Sequence, residues 1–288
     1  METGKGYALI IGVEKLSGNY NIEGSGYLPQ PPNDATAIAN IALKKGFATK
    51  LLLTEDATRK NVIDHIIGLS QIAKEGDLVF IYYSGHGSQV EADEKDEEED
   101  MLNEAWCLYD GLLIDNELYR LWRYFAAGLR IFFVSDSCHS GTMTKSYPVT
   151  PNSKTKGNYL QPKYISRLLT KETYNKNKAS YKKDLEDLGQ PPHLEINVPI
   201  LSFAGCEDAQ CSYALSNSKL SIFTEEFKRL LENPEKTYTY SEALQQLKEA
   251  VSHIVGQMQT PYLFSTGNGD SFMDQILLQI PAKHQKSP

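Results

Sequence analysis

The stretch Asp77–Gly87, DLVFIYYSGHG, decides the fold. Val79 to Tyr83 are apolar or aromatic without a break, and no polar residue alternates with them. Such a run suits a strand buried on both faces, which is the habit of parallel sheets covered by helices on either side. It ends abruptly in Ser84-Gly85-His86-Gly87, a turn signal carrying an imidazole. The same texture recurs upstream in Tyr7–Val13 (YALIIGV) and downstream in Arg130–Ser135 (RIFFVS) and Pro199–Ala204 (PILSFA), with a shorter candidate at Thr49–Leu53.

Helical spacing fills the intervals. Ala37, Ile38, Ile41 and Ala42 follow Asn33 and Asp34, either of which can cap a helix; Val62, Ile63, Ile66, Ile67 and Leu69 follow Thr58. Further helices are expected over Asp115–Phe125, Ile222–Glu232 and Tyr240–Val255, and an edge strand in the tail Tyr262–Gln279. Ser17–Pro32 reads as turns, and Glu91–Glu104, nine of whose fourteen residues are acidic, reads as a solvated loop. Alternating strands and helices give an α/β fold with a mostly parallel central sheet and helices on both faces.

Composition narrows the function. With 41% hydrophobic and 23% charged residues in 288, the chain resembles a soluble globular domain. A net charge of −8 argues against nucleic acid or an anionic membrane as the main partner. The N-terminal run is too short for a spanning helix and carries no cleavable signal pattern, so a cytoplasmic location is expected. The four cysteines, Cys107, Cys138, Cys206 and Cys211, include no Cys-x-x-Cys pair and are expected to be reduced thiols.

Chemistry in a parallel sheet gathers outside the C-terminal ends of its strands. Two motifs lie there. His86 stands between two glycines, which leave its imidazole uncovered, and a histidine titrating near neutrality can take a proton from a thiol and return it to a leaving amine. Cys138 follows the RIFFVS strand within Asp136-Ser137-Cys138-His139-Ser140-Gly141, and a thiol beside a base becomes a nucleophile. Taken singly, a strand-end cysteine is usually a small buried hydrophobe and such a histidine can be a turn residue; the order and 52-residue interval of the two is that of a caspase-type cysteine protease. Thr144 stands where a Cys-x5-Arg phosphate loop needs Arg, and no Gly-x-Ser-x-Gly, Walker or His-Glu-x-x-His motif occurs.

Tyr82–Gly87 (YYSGHG) and Asp136–Gly141 (DSCHSG) together resemble the paired signatures of metacaspases and their prokaryotic relatives, the orthocaspases. The resemblance runs from Tyr7 to about Thr142 and resumes from Pro199 to about Pro261, including Gly205-Cys206-Glu207-Asp208. It implies a caspase–haemoglobinase fold, one peptidase domain with a large part (1–142), a mobile connection (143–197) and a small part (198–288). Met143–Asn197 is itself rich in Lys, Tyr, Asn, Ser and Pro, with one helix expected near Tyr181–Leu188.

The resemblance also implies a Cys138–His86 dyad, an oxyanion hole from the backbone N–H groups of Gly87 and Cys138, and endopeptidase cleavage after Arg or Lys. Asp34, Ser84 and Asp136 occupy the positions of the basic specificity pocket; two carboxylates there would pair with a basic side chain and repel an acidic one. Pro31 replaces a cysteine and Ala214 an aspartate common in the family. No cofactor is needed for the chemistry, but calcium is implied as an activator, held by side-chain oxygens that include those of Asp100, Asp115 and Asn116, where Asn116 replaces a second aspartate. Self-cleavage in the connection, a role in cell death or defence, protein substrates and a regulator acting in trans complete the expectation. Two other readings stay open: a catalytically silent caspase-like adaptor, and a Cys-dependent hydrolase or transferase acting on something other than a peptide.

Overall fold

A computed structural model describes residues 4–20, 26–91, 102–138, 159–207 and 210–281. In chain order the principal elements are β1 (Gly6–Gly12), α1 (Pro31–Lys44), β2 (Phe47–Leu53), α2 (Arg59–Ile72), β3 (Leu78–Ser84), β4 (Gly87–Glu91), β5 (Leu102–Cys107), β6 (Leu112–Ile114), α3 (Asp115–Trp122), β7 (Arg130–Asp136), β8 (Leu160–Pro162), α4 (Arg167–Asp187), β9 (Ile200–Ala204), β10 (Tyr213–Leu215), α5 (Ile222–Leu231), α6 (Tyr240–Val255) and β11 (Tyr262–Thr266).

The central sheet has the order β11-β9-β7-β3-β1-β2, parallel throughout except for β11, which lies antiparallel on β9. Alternate residues of each inner strand point to opposite faces, and both faces are apolar. Leu9, Ile11, Val79, Ile81, Ile131 and Phe133 pack with Val62, Ile63 and Ile66 of α2 and with Leu118, Leu121 and Trp122 of α3. Ala8, Ile10, Phe80, Tyr82, Phe132 and Val134 pack on the other side with Ile38 of α1, Phe227 of α5 and Leu247 of α6. The expected two-faced burial is therefore what the sheet achieves.

Three expectations are corrected. Neither Asn33 nor Asp34 caps α1: the helix starts at Pro31, whose missing N–H is harmless in a first turn, and Asp34 faces inward, fully buried. Leu102–Glu104, expected in the acidic loop, belongs to β5, which joins β4 and β6 in a small antiparallel sheet; residues 92–101 lie outside the described residues. The short helix expected near Tyr181 is the end of α4, 21 residues long and polar around most of its circumference. Of the 143–197 connection, residues 143–158 lie outside the described residues.

α4 is held by a buried cluster rather than by an apolar stripe. The Arg59 guanidinium grips Glu117 in bidentate fashion at 2.6 and 2.8 Å, lies 4.2 Å over the Tyr181 ring, and reaches Asp184 at 3.2 Å. The Tyr181 hydroxyl accepts the Leu112 N–H at 3.1 Å. Arg120 and Tyr124 cap the far end by donating to the Gly189 carbonyl, both at 2.8 Å.

Candidate active site

In the sheet register Ser84, the last residue of β3, stands between Gly12 of β1 and Asp136 of β7. His86 and Cys138, each two residues further on, thus emerge side by side at the same C-terminal edge. The two loops touch backbone to backbone: a Cβ on Gly87 would lie 1.9 Å from the Cys138 carbonyl oxygen, so only glycine fits. The Tyr83 hydroxyl fixes the histidine turn through the carbonyls of His86 (2.7 Å) and Cys107 (3.0 Å), and its ring stacks on Trp106 at 4.5 Å.

Both side chains are buried. His86 is 4% exposed, and neither ring nitrogen has a hydrogen-bond partner among the described residues. Burial, aided by the nearby Lys163 ammonium, pulls its pKa down to about 3. Cys138 is fully buried and its Sγ donates to the Ser212 carbonyl at 3.0 Å. Burial pushes this thiol well above the ordinary range, and the neighbouring thiols of Cys206 and Cys211 push in the same direction. Both groups are accordingly neutral.

Asp34, Ser84 and Asp136 converge on a residue that sequence reading did not single out. Lys163 is fully buried, and its three ammonium donors meet three acceptors: Asp136 Oδ2 at 3.0 Å, Ser84 Oγ at 2.8 Å and Ser221 Oγ at 3.0 Å. Asp34 Oδ2 is 3.6 Å from the same nitrogen and accepts from both hydroxyls, Ser84 at 2.7 Å and Ser221 at 2.5 Å, while Oδ1 accepts the Ser221 N–H at 2.8 Å. Asp136 is also tied by the hydroxyls of Ser212 and Thr224, each at 2.6 Å. Burial raises the Asp34 carboxyl to about 6; Lys163 pulls it down, and Asp136 adds to the rise.

The backbone of Lys163 is placed as carefully as its side chain. Its carbonyl oxygen accepts the Gly87 N–H at 2.9 Å and the Cys138 N–H at 3.1 Å, and its own N–H donates to the Ser212 carbonyl at 3.0 Å. The preceding residues form β8, antiparallel to β10, with Pro162 opposite Tyr213 and Leu160 opposite Leu215. On the other side of the Lys163–Tyr164 bond, Ile165 N–H donates to the Gly87 carbonyl at 2.9 Å, and Ser88 Oγ bonds the Ile165 carbonyl and the Thr170 hydroxyl, both at 2.8 Å.

The remaining expected residues fall elsewhere. Pro31 opens α1, and Ala214 lies in β10 opposite Gln161, outside the lysine-filled pocket. Asp115 accepts the N–H groups of Glu104 (3.1 Å) and Asn116 (2.7 Å), and the Asn116 amide donates to Asn103 at 3.1 Å. Asp100 lies outside the described residues, and among those described no group of three or more His, Cys, Asp or Glu is placed to hold a metal ion. Ser212, Ser221 and Thr224 were also missed. Ser221 and Thr224 carry only the signature of a helix start, because Ser221 precedes α5.

This fold is that of the caspase-like cysteine peptidases. The chain belongs to that family: the caspase-domain model (Peptidase C14) matches residues 5–273, and the architecture is the caspase–haemoglobinase fold. Within the family its relatives include metacaspases. It is 32% identical to metacaspase-1 of Mycosarcoma maydis over 178 residues, 57% of this chain and 42% of that one. It is 27% identical to metacaspase-1 of Cryptococcus neoformans over 246 residues, 73% of this chain and 51% of that one. The chain thus spans about two fifths to one half of these relatives. The crystal structure of protein GSU0716 from Geobacter sulfurreducens superposes with a TM-score of 0.75 at 32% identity, covering 96% of this chain and 99% of that one.

Proposed function

We propose that the protein is a cysteine endopeptidase cutting after Lys or Arg, with Cys138 as nucleophile and His86 as general base, and that its first substrate is its own Lys163–Tyr164 bond. One observation carries this reading: Lys163 fills the Asp34–Asp136 pocket while its carbonyl oxygen accepts both the Gly87 and the Cys138 N–H. A bound substrate would present the same contacts.

The chemistry follows from that placement. The Cys138 thiol turns from the Ser212 carbonyl and gives its proton to His86. The thiolate attacks the Lys163 carbonyl carbon, and the negative oxygen is held by the Gly87 and Cys138 N–H groups, donors each worth about 3 kcal/mol in a transition state. The bond to Tyr164 nitrogen breaks as His86 protonates the leaving amine. Water, activated by His86, then hydrolyses the Cys138–Lys163 thioester. Two buried carboxylates favour any cationic side chain in this pocket and disfavour an acidic one.

Calcium activation remains part of the proposal, resting on the family resemblance; the described residues do not by themselves assemble a site, and no step depends on it. Cytoplasmic location is supported by the four free thiols, which suit a reducing compartment. No helix among the described residues is long and apolar enough to cross a membrane.

The test is to incubate wild type beside Cys138→Ala, sequence new N-termini, and assay fluorogenic peptides ending in Arg, Lys, Asp or Leu. Tyr164 as the new N-terminus in wild type alone, with cleavage after Lys or Arg, is expected. Identical fragments from both proteins would argue against self-processing; cleavage of no peptide would favour the adaptor reading.

A further inference from the structure

The proposed chemistry uses one thiol, yet that thiol has sulfur neighbours. β7 and β9 run in parallel as far as the pair Ser135 and Ala204, and the Gly205 N–H extends the ladder to the Ser135 carbonyl at 2.8 Å. A Cβ on Gly205 would lie 2.9 Å from Ser212 Oγ and 3.2 Å from Asp136 Oδ1, so its absence lets the loop after β9 press against the end of β7. Cys206 comes next and is buried; its Sγ donates to the Ser137 carbonyl at 3.7 Å and to the Gln210 carbonyl at 3.5 Å. The Ser137 carbonyl carbon is bonded to the Cys138 nitrogen. The Cys206 sulfur thus rests on the peptide plane that leads into the nucleophile, and the two thiols interact directly.

A buried cysteine is ordinarily a small hydrophobe. Cys107 and Cys211 fit that description, since each packs inside an apolar cluster, Cys211 with Leu160, Tyr213 and Val251. Among the described residues Cys206 joins none of the four apolar clusters; its sulfur faces carbonyl oxygens and the Cys138 thiol instead. In the uncut chain Cys138 Sγ is held on the Ser212 carbonyl as a neutral thiol, and a neutral thiol reacts slowly with peroxide. Departure of the Lys163 segment would open Cys138 and let His86 hold it as the thiolate, the form that peroxides oxidise. A second sulfur already in contact is what such a thiolate needs if its oxidation is to be reversible.

We propose that Cys206 is a resolving cysteine, which captures the oxidised nucleophile of the cut enzyme as a reversible Cys138–Cys206 disulfide. Hydrogen peroxide transfers one oxygen to the Cys138 thiolate, giving the sulfenic acid and a hydroxide that takes up a proton to become water. The Cys206 sulfur then attacks the Cys138 sulfur; the S–S bond forms, and the hydroxyl leaves with the Cys206 proton as a second water. Two electrons have passed from the two sulfurs to the peroxide. A small thiol reductant reverses the link by exchange. Without Cys206 the sulfenic acid proceeds to the sulfinic acid, which thiols do not reduce. The inference rests on the peptidase reading above, because self-cleavage is what uncovers Cys138, but nothing in that reading calls for a second thiol.

The test treats the full chain, after self-cleavage, with hydrogen peroxide. One portion is digested without reductant for mass spectrometry; another is assayed on a fluorogenic lysine peptide before oxidation, after it, and after dithiothreitol. The expected product is a linked pair of peptides carrying Cys138 and Cys206, lighter by about 2 Da than the two apart, with activity lost and then restored. Cys206→Ser should cut the peptide as wild type does and lose activity to the same dose. It should then recover about 10-fold less with dithiothreitol, its Cys138 peptide heavier by about 32 Da. Should that variant fail to fold, the linked peptide in wild type decides. Cys211→Ser should behave as wild type. A link to Cys211 in place of Cys206, or equal recovery in Cys206→Ser and wild type, overturns this proposal and leaves the peptidase reading standing. A chain that cuts no peptide before oxidation overturns the peptidase reading, and the linked peptide, sought by mass in the same sample, still decides the thiol pair.

Discussion

The ammonium nitrogen of Lys163 lies 3.0 Å from Oδ2 of Asp136, and neither side chain has any exposed surface. A cation so buried must be fully compensated or it would not remain. Lys163→Ala leaves Asp34 and Asp136 facing each other without a counter-ion. It should lower stability by about 3–5 kcal/mol, read as a reduced Tm, and abolish cleavage at residue 163. Lys163→Arg should keep cleavage. Continued cutting before Tyr164 in the alanine variant would refute the pocket assignment.

Asp34 is held at about 6 and His86 at about 3, so the two groups make separable marks on pH dependence. Self-cleavage of the uncut chain should rise as pH passes upward through about 6, because Asp34 must be ionised to hold the ammonium. Asp34→Asn should be slower and lack that limb. A limb unchanged in the variant would assign it to another group.

His86 also affects stability. Its folded pKa of about 3 lies below the usual 6.5, so between those values the unfolded chain binds a proton that the folded one does not. Stability must fall as pH drops through that window and owes His86 nothing above it. The difference between wild type and His86→Leu in urea titrations should therefore shift by a few kcal/mol between pH 7 and pH 4. A constant difference would mean that the imidazole is already hydrated in the uncut form.

Arg59 clamps the start of α2 to α3 and α4 through Glu117, Tyr181 and Asp184. Arg59→Met strands Glu117, whose pKa burial already raises. A loss of about 3–5 kcal/mol is expected, with α4 becoming the first site of limited proteolysis. Uniform protease sensitivity instead would show that the clamp serves the whole domain.

Calcium is tested by chelation. Cleavage of peptides that stops with chelator and returns with added calcium supports an activating site that includes Asp100, Asp115 and Asn116; activity unmoved by chelator removes it.

The strands were legible because inner strands of a parallel sheet are apolar on both faces, so YALIIGV, DLVFIYY and RIFFVS could hardly be anything else. Strand ends then located His86 and Cys138. Asp34, Ser84 and Asp136 were named through the resemblance, and the fold brings them within one pocket although Ser84 and Asp34 are 50 residues apart. Lys163 was invisible because it is one of many lysines in a polar stretch, and only the surrounding oxygens distinguish it. Ser221, 187 residues from Asp34, was equally hidden. α4 escaped notice because its hold on the body comes from Arg59 and Tyr181 rather than from a periodic apolar face.

The segment around Lys163 is fastened at both ends, by β8 on β10 upstream and by the Ser88, Thr170 and Arg59 contacts downstream. The proposed cleavage at Lys163 would thus be governed by effective molarity rather than by encounter. Conversion of the uncut chain should be first order, with a half-life unchanged by dilution, and inhibitors in solution must compete against a tethered rival that never diffuses away.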